Sequence, residues 1–118
     1  MKKILVIDDD VDILLLVKLA LTMNGLDVRT LSRWEMIPET IEEYAPALIL
    51  MDISLGTADG RDICKGLKRE ALTKDIPVIL FSANNEFQKS IGECQAEGFI
   101  AKPFDISDLV ARVKEKAR

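Results

Sequence analysis

The chain has 118 residues, with 16 lysines and arginines against 20 aspartates and glutamates, a formal net charge of −4, and no histidine. That length predicts one domain over 1–118 with an ordinary core, and 48% hydrophobic against 31% charged residues is a globular balance rather than a disordered one. The acidic excess argues against nucleic acid as a direct partner, since phosphate contacts need a basic face. The missing histidine excludes Ser-His-Asp and Cys-His catalysis, HExxH zinc chemistry and any phosphohistidine on this chain. Cys64 and Cys94 have no ligand-like partner nearby in sequence, so they read as free thiols in a reducing compartment. The apolar run after Met1-Lys2-Lys3 is too short for a signal peptide or a membrane span. A cytoplasmic location is expected.

Short apolar runs alternate with stretches of helical spacing, the mark of βα units around a parallel sheet. The first strand is Ile4-Leu5-Val6-Ile7, and a helix follows the acidic cluster, stopping near Asn24-Gly25. Its predicted core stripe is Ile13, Leu16, Val17, Ala20 and Leu21. Val28-Arg29-Thr30-Leu31 is mixed in polarity and reads as an edge strand, and a helix over 33–44 with Pro38 in its first turn comes next. Ala47-Leu48-Ile49-Leu50-Met51 and Val78-Ile79-Leu80-Phe81 are apolar throughout, as inner strands covered on both faces must be, with a helix over 59–72 between them. A helix over 85–97, the short strand Phe99-Ile100-Ala101 and a helix over 106–117 complete five βα units. Right-handed crossovers turn this order into a doubly wound (βα)5 three-layer sandwich around a parallel five-stranded sheet.

In such sheets reactive groups gather at the carboxyl ends of the strands. There the sequence places Asp8-Asp9-Asp10, then Asp52, then Ser82-Ala83, then Lys102-Pro103. Asp8, Asp9 and Asp52 brought together would repel one another unless a cation intervenes. Hard oxygen ligands with open positions suit Mg²⁺, which keeps waters for a phosphate to displace. Lys102 supplies a point charge for phosphate oxygens, Ser82 a hydroxyl donor and Ala83 a backbone N–H. With no histidine and no activated thiol, an aspartate is the acceptor available for covalent chemistry.

The runs ending in Asp8-Asp9-Asp10, Asp52, Ser82-Ala83 and Lys102-Pro103-Phe104, with Asp59-Gly60 between them, resemble the full motif set of a response-regulator receiver domain, along the whole chain. The resemblance implies a flavodoxin-like fold with strand order 2-1-3-4-5 and a role as a phospho-accepting switch in two-component signalling. It makes Asp52 the phosphoacceptor, served by a sensor histidine kinase or a histidine phosphotransfer protein. It gives Mg²⁺, or alternatively Mn²⁺, to Asp8, Asp9, Asp52 and the backbone carbonyl of Ser54. Lys102 pairs with the phosphorylated aspartate, Ser82 and Phe99 form the switch pair, and Pro103 is cis. Output is expected through the face of the fourth helix, fifth strand and fifth helix, from a monomer or a phosphorylation-dependent dimer. The resemblance also implies a magnesium-dependent domain that takes on and releases its own phosphoryl group, rather than a conventional enzyme.

Two departures stand out. Leu55-Gly56 replaces the family's usual Met-Pro after the acceptor, which predicts a more mobile loop, and the switch aromatic is Phe99 rather than tyrosine. Other readings remain beside this one. A haloacid-dehalogenase-like phosphatase would use Asp8 as nucleophile and Asp10 as its second aspartate, and an inert pseudo-receiver would only bind a partner. Asp10 and Asp12 alternate with Asp8 as in a calcium loop but lack that loop's glycine and glutamate; Asp12 fits a helix N-terminus, and Asp59 an N-cap. Leu14, Leu15 and Leu19 fall off the predicted stripe, either as scattered surface residues or as a docking face for the donor's helices. The basic residues Arg112, Lys114, Lys116 and Arg118 read as a solvated face.

Overall fold

The computed structural model describes residues 1–84 and 91–117. Strands β1 (Lys3–Ile7), β2 (Asp27–Leu31), β3 (Leu48–Asp52), β6 (Val78–Ser82) and β7 (Gly98–Ala101) form one parallel sheet in the order β2-β1-β3-β6-β7. The remaining two, β4 (Ser54–Leu55) and β5 (Ala58–Asp59), make a small antiparallel hairpin. With the hairpin set aside, the order is the expected 2-1-3-4-5.

Alternation along each inner strand divides the core in two. Ile4, Val6, Leu48, Leu50, Ile79 and Phe81 face helices α1 (Val11–Met23) and α5 (Ile106–Lys116). Leu5, Ile7, Ile49, Met51, Val78 and Leu80 face α2 (Ile37–Tyr44), α3 (Gly60–Arg69) and Cys94 of α4 (Ile91–Cys94). Both faces of the inner strands are therefore dry, which is why their sequences show no polar alternation. β2 is an edge, as its mixed composition predicted, with the Arg29 guanidinium 4.6 Å from the centre of the Tyr44 ring. Tyr44 in turn donates to Asp27 Oδ2 at 2.9 Å, tying α2 to that edge.

Local signals set the ends of the elements. The Asp10 carboxylate accepts from the N–H groups of Asp12 and Ile13 and so caps α1, with Asp12 in its first turn. Gly25, at φ +83°, supplies the left-handed residue that ends α1, and the Leu26 N–H returns to the Leu21 carbonyl. A 3₁₀ turn, Trp34–Met36, precedes α2, and Pro38 lies in its first turn. Asp59 caps α3 through the Arg61 N–H, as expected. Of the predicted helix over 85–97, residues 85–90 lie outside the described residues. At the far end of α3 the Lys68 ammonium, nearly buried, donates to the Ile76 carbonyl at 2.8 Å and to both Glu97 oxygens. Glu97 accepts from the Val78 N–H at 2.7 Å, so one ion pair fastens α3 to the start of β6.

Two sequence expectations are corrected. Leu14, placed off the stripe of α1, is 5% exposed and sits in the core, whereas Leu16, placed on it, is 48% exposed. Residues 13 to 17 are all apolar, so the pattern carries no phase from which to choose a face. The segment after Asp52, expected to be a mobile loop, is the β4–β5 hairpin, with Gly56 at φ +64° in its turn. Leu14→Ala should therefore cost roughly 2–4 kcal/mol, and Leu16→Ala less than about 1 kcal/mol, compared through urea unfolding midpoints.

Candidate functional site

Parallel register brings the strand ends together. Ile7 pairs with Met51, so Asp8 and Asp52, one residue further on, leave adjacent strands side by side. Asp52 pairs with Phe81, and Ser82 with Ala101, which brings Ser82 and then Lys102 to the same edge. Nothing beyond strand lengths matched to this register is needed to build the cluster.

Asp8 is 0% exposed and both of its oxygens are engaged: Oδ1 accepts from the Asp10 N–H at 2.9 Å and Oδ2 from Lys102 Nζ at 2.9 Å. Asp52, 6% exposed, lies 3.3 Å from the same ammonium through Oδ2, while Oδ1 takes a weaker bond from the Ser54 N–H at 3.4 Å. Asp9 is exposed. One carboxylate oxygen from each of Asp8, Asp9 and Asp52 lies within 4.8 Å of the others. The Lys102 ammonium also sits 4.5 Å from the centre of the Phe81 ring, which Phe104 meets edge-on. The Lys102–Pro103 peptide is cis.

Among the described residues one lysine faces three carboxylates, which leaves the pocket short of positive charge. Burial, followed by the neighbouring Asp8 charge, pushes the Asp52 carboxyl up to about 6. Burial likewise raises Asp8, although the Asp10 N–H and Lys102 both act to lower it. These are the electrostatics of a site arranged for a cation. A set of carboxylate oxygens with one exposed member suits a hard divalent ion that retains water. The Gly60 N–H bonds to the Ile53 carbonyl at 2.7 Å, so antiparallel alternation leaves Ser54 at the non-hydrogen-bonded position of the hairpin, opposite Asp59. The Ser54 carbonyl is thus not consumed by that pairing and fits the expected fourth protein oxygen.

The residues expected on the phosphate side reach the same edge through the pairing of β6 with β7. Ser82 is buried, its Oγ accepts from the Asn84 N–H at 3.0 Å, and its carbonyl accepts from the Lys102 N–H at 2.9 Å. Ala83 is exposed at the rim. Phe99 does not join this pocket: it is buried in the cluster beneath α3, and its carbonyl accepts from Arg112 Nη1 of α5 at 2.7 Å. Two contributors were not legible in advance. Phe81, read only as strand core, places its ring against the Lys102 ammonium. Gly60, read as part of a turn, lies so close to β3 that a Cβ there would collide with the Asp52 carbonyl oxygen. The adjacent Asp59-Gly60 pair was the one available hint.

The sign of the pH effect follows from the raised Asp52 value. Between the ordinary carboxyl value of 3.8 and about 6 the folded chain holds a proton that the unfolded chain releases, so stability from this group is present at low pH and lost as pH rises through 6. Without divalent metal, Asp52→Asn should be more stable than wild type at pH 7, by up to about 3 kcal/mol. That difference should close toward pH 4 in parallel thermal melts.

Comparison with known proteins agrees with this geometry. Residues 4–114 match the family model described as the response regulator receiver domain. The chain is 35% identical to the DNA-binding dual master transcriptional regulator RpaA of Synechocystis, covering 100% of this chain and 50% of that protein. It is 37% identical to the alkaline phosphatase synthesis transcriptional regulatory protein PhoP of Bacillus subtilis, over 96% of this chain and 47% of the relative. A putative response regulator from Chloroflexus aurantiacus superposes with a TM-score of 0.90 at 28% identity, covering 97% and 95% of the two chains. The chain spans about half the length of the curated relatives it matches. The expectation that nucleic acid is not involved is not borne out, because these relatives are transcriptional regulators and one is DNA-binding. The charge of 118 residues carries no information about the other half of such proteins. Receiver domains bind Mg²⁺ at an acidic pocket and interact with histidine kinases and effectors. With its whole length matched and the acidic cluster formed, this chain belongs to the response regulator receiver domain family of two-component systems.

Proposed function

We propose that Asp52 accepts a phosphoryl group from a phosphohistidine on a sensor kinase or phosphotransfer protein in the cytoplasm. The observation that carries this reading is the buried Asp52 carboxylate at the end of β3, 3.3 Å from Lys102 and beside two further carboxylates. In the transfer an Asp52 oxygen forms a bond to phosphorus as the bond from phosphorus to the imidazole nitrogen breaks, and the departing imidazole keeps the electron pair. Asp8, Asp9, Asp52 and the Ser54 carbonyl are the residues that would hold Mg²⁺, or Mn²⁺ in its place. The ion supplies charge neutralisation on the phosphoryl oxygens. Lys102 pairs with the phosphoryl group, and the Ala83 N–H and Ser82 hydroxyl donate to it.

The Asn84 N–H bonds to a lone pair of Ser82 Oγ, which is compatible with the hydroxyl proton being donated to the phosphoryl group. The Arg112 bond to the Phe99 carbonyl couples β7 directly to α5, which supports output through the face of α4, β7 and α5. That output is to an effector, from a monomer or a phosphorylation-dependent dimer. A phosphatase using Asp8 is disfavoured because Asp10, its required second aspartate, is occupied as the N-cap of α1.

Incubation with Mg²⁺ and acetyl phosphate, followed by mass spectrometry, should place the modification on Asp52 and lose it in Asp52→Asn. Modification at Asp8 would favour the phosphatase, and none in either protein an inert module. Lys102→Ala should still be modified but should not shift the amide signals of Ser82 and Phe99. On α1 the exposed residues Val11, Leu15, Leu19 and Met23 recur every four positions, with Leu16 beside them, and form an apolar stripe fitted to the helices of a phosphodonor. Leu15→Glu with Leu19→Glu should slow transfer from a phosphorylated histidine phosphotransfer domain tenfold or more while acetyl phosphate labelling is kept; equal loss of both would remove the docking role.

A further inference from the structure

The face of the sheet opposite α1 carries a feature that phosphoryl transfer does not use. A groove of about 980 Å³ runs between α2 and α3, walled by Trp34, Ile41, Ile63, Leu67, Leu72 and Ile76. Two local features open it. The shorter wall, α2, has only eight residues and ends at the left-handed Ala45, just before Pro46. Opposite, Gly66 stands within α3 with no side chain, and a Cβ there would meet nothing within 4 Å. Leu72, on the lip, is 95% exposed and extends the apolar lining of the groove to its rim.

Charge at this groove has one sign. Glu35, Glu42 and Glu70 line it, and no lysine or arginine is among the described residues that do. None of the three glutamates forms an ion pair among the described residues, although Glu43 next to Glu42 does. An apolar channel between two helices, edged by three unpaired carboxylates, is complementary to a helix with an apolar stripe and cationic flanks.

We propose that the α2–α3 groove binds a basic amphipathic helix of a partner protein. Apolar side chains at i, i+3 or i+4, and i+7 seat between Trp34 and Leu72, and flanking lysines or arginines meet Glu35, Glu42 and Glu70. An acidic or neutral ligand would strip water from these carboxylates and return no partner, at a cost of the kind that sets specificity. A second copy of this chain would bring the same three negative charges to the contact. Because α1 packs on the other layer of the core, the groove and the α1 stripe can be occupied together.

Trp34 is the only tryptophan in the chain and it lines the groove, so its emission reports occupancy directly. The probe is an amidated 18-residue helix of leucine, alanine and lysine with its leucines on one face, compared with the same peptide carrying glutamate for lysine. The lysine peptide should shift Trp34 emission to the blue, saturably, and bind at least tenfold more tightly than the glutamate peptide. The triple variant Glu35→Lys, Glu42→Lys, Glu70→Lys should lose tenfold or more of that affinity. Gly66→Leu fills the channel from an exposed helical position, where replacing glycine does not weaken the helix, and should abolish binding with no fall in Tm. Unmoved Trp34 emission, equal affinity for the two peptides, full binding by Gly66→Leu, or self-association that Gly66→Leu abolishes would each overturn the proposal.

Discussion

Three carboxylates held within 4.8 Å, two of them buried and facing a single ammonium, form the interaction on which the rest of this site depends. The sheet enforces it, because the register that buries Ile7, Met51 and Phe81 on the dry strands delivers Asp8, Asp52 and Lys102 to one edge. Separating the charges would require slipping a strand, and a one-residue slip moves every side chain to the wrong face. Core packing thus holds together groups that electrostatics would drive apart. The result appears as raised proton affinity at Asp52 and Asp8, and half of the chain's formal excess of negative charge is gathered at one pocket.

The surrounding residues keep that arrangement within narrow limits. Gly60 lets the start of α3 press against the Asp52 carbonyl, and the hairpin holds Ser54 where its N–H reaches Asp52. Asp10 and Asp59, close to the pocket in sequence, are occupied as helix caps, so neither adds to the clustered oxygens of Asp8, Asp9 and Asp52. Lys102 lies between two anions and an aromatic ring, which fixes its head group. Such preorganisation is what the proposed transfer of a highly charged phosphoryl group needs.

Much of this was legible in the sequence because it depends on strand ends. Unbroken apolar runs marked the inner strands, mixed polarity marked β2 as an edge, and the residue after each run was the one that reached the pocket. What could not be read depends on phase and on distant contacts. The five consecutive apolar residues from Ile13 to Val17 concealed which side of α1 is buried, so Leu14 and Leu16 exchanged roles. Neither the hairpin after Asp52 nor the Lys68–Glu97 pair leaves a periodic signal, since each is settled by tertiary pairing. The α2–α3 groove was invisible for the same reason: it arises from a short helix, a glycine and a turn that come together only in the fold. The molecule therefore carries apolar surface on both layers, a stripe on α1 and a channel beside α2, with the acidic pocket between them at the sheet edge.

The central claim is that the crowded carboxylates constitute a divalent-cation site, and a magnesium titration followed by thermal unfolding at pH 7.5 tests it most directly. Wild type should gain stability with rising Mg²⁺, by about 2.7 kcal/mol once the free ion reaches a hundredfold excess over its Kd. Asp9→Asn changes an exposed carboxylate that the fold does not need, and it should lose most of that gain while melting normally without metal. An equal magnesium-dependent rise in wild type and Asp9→Asn would contradict the account.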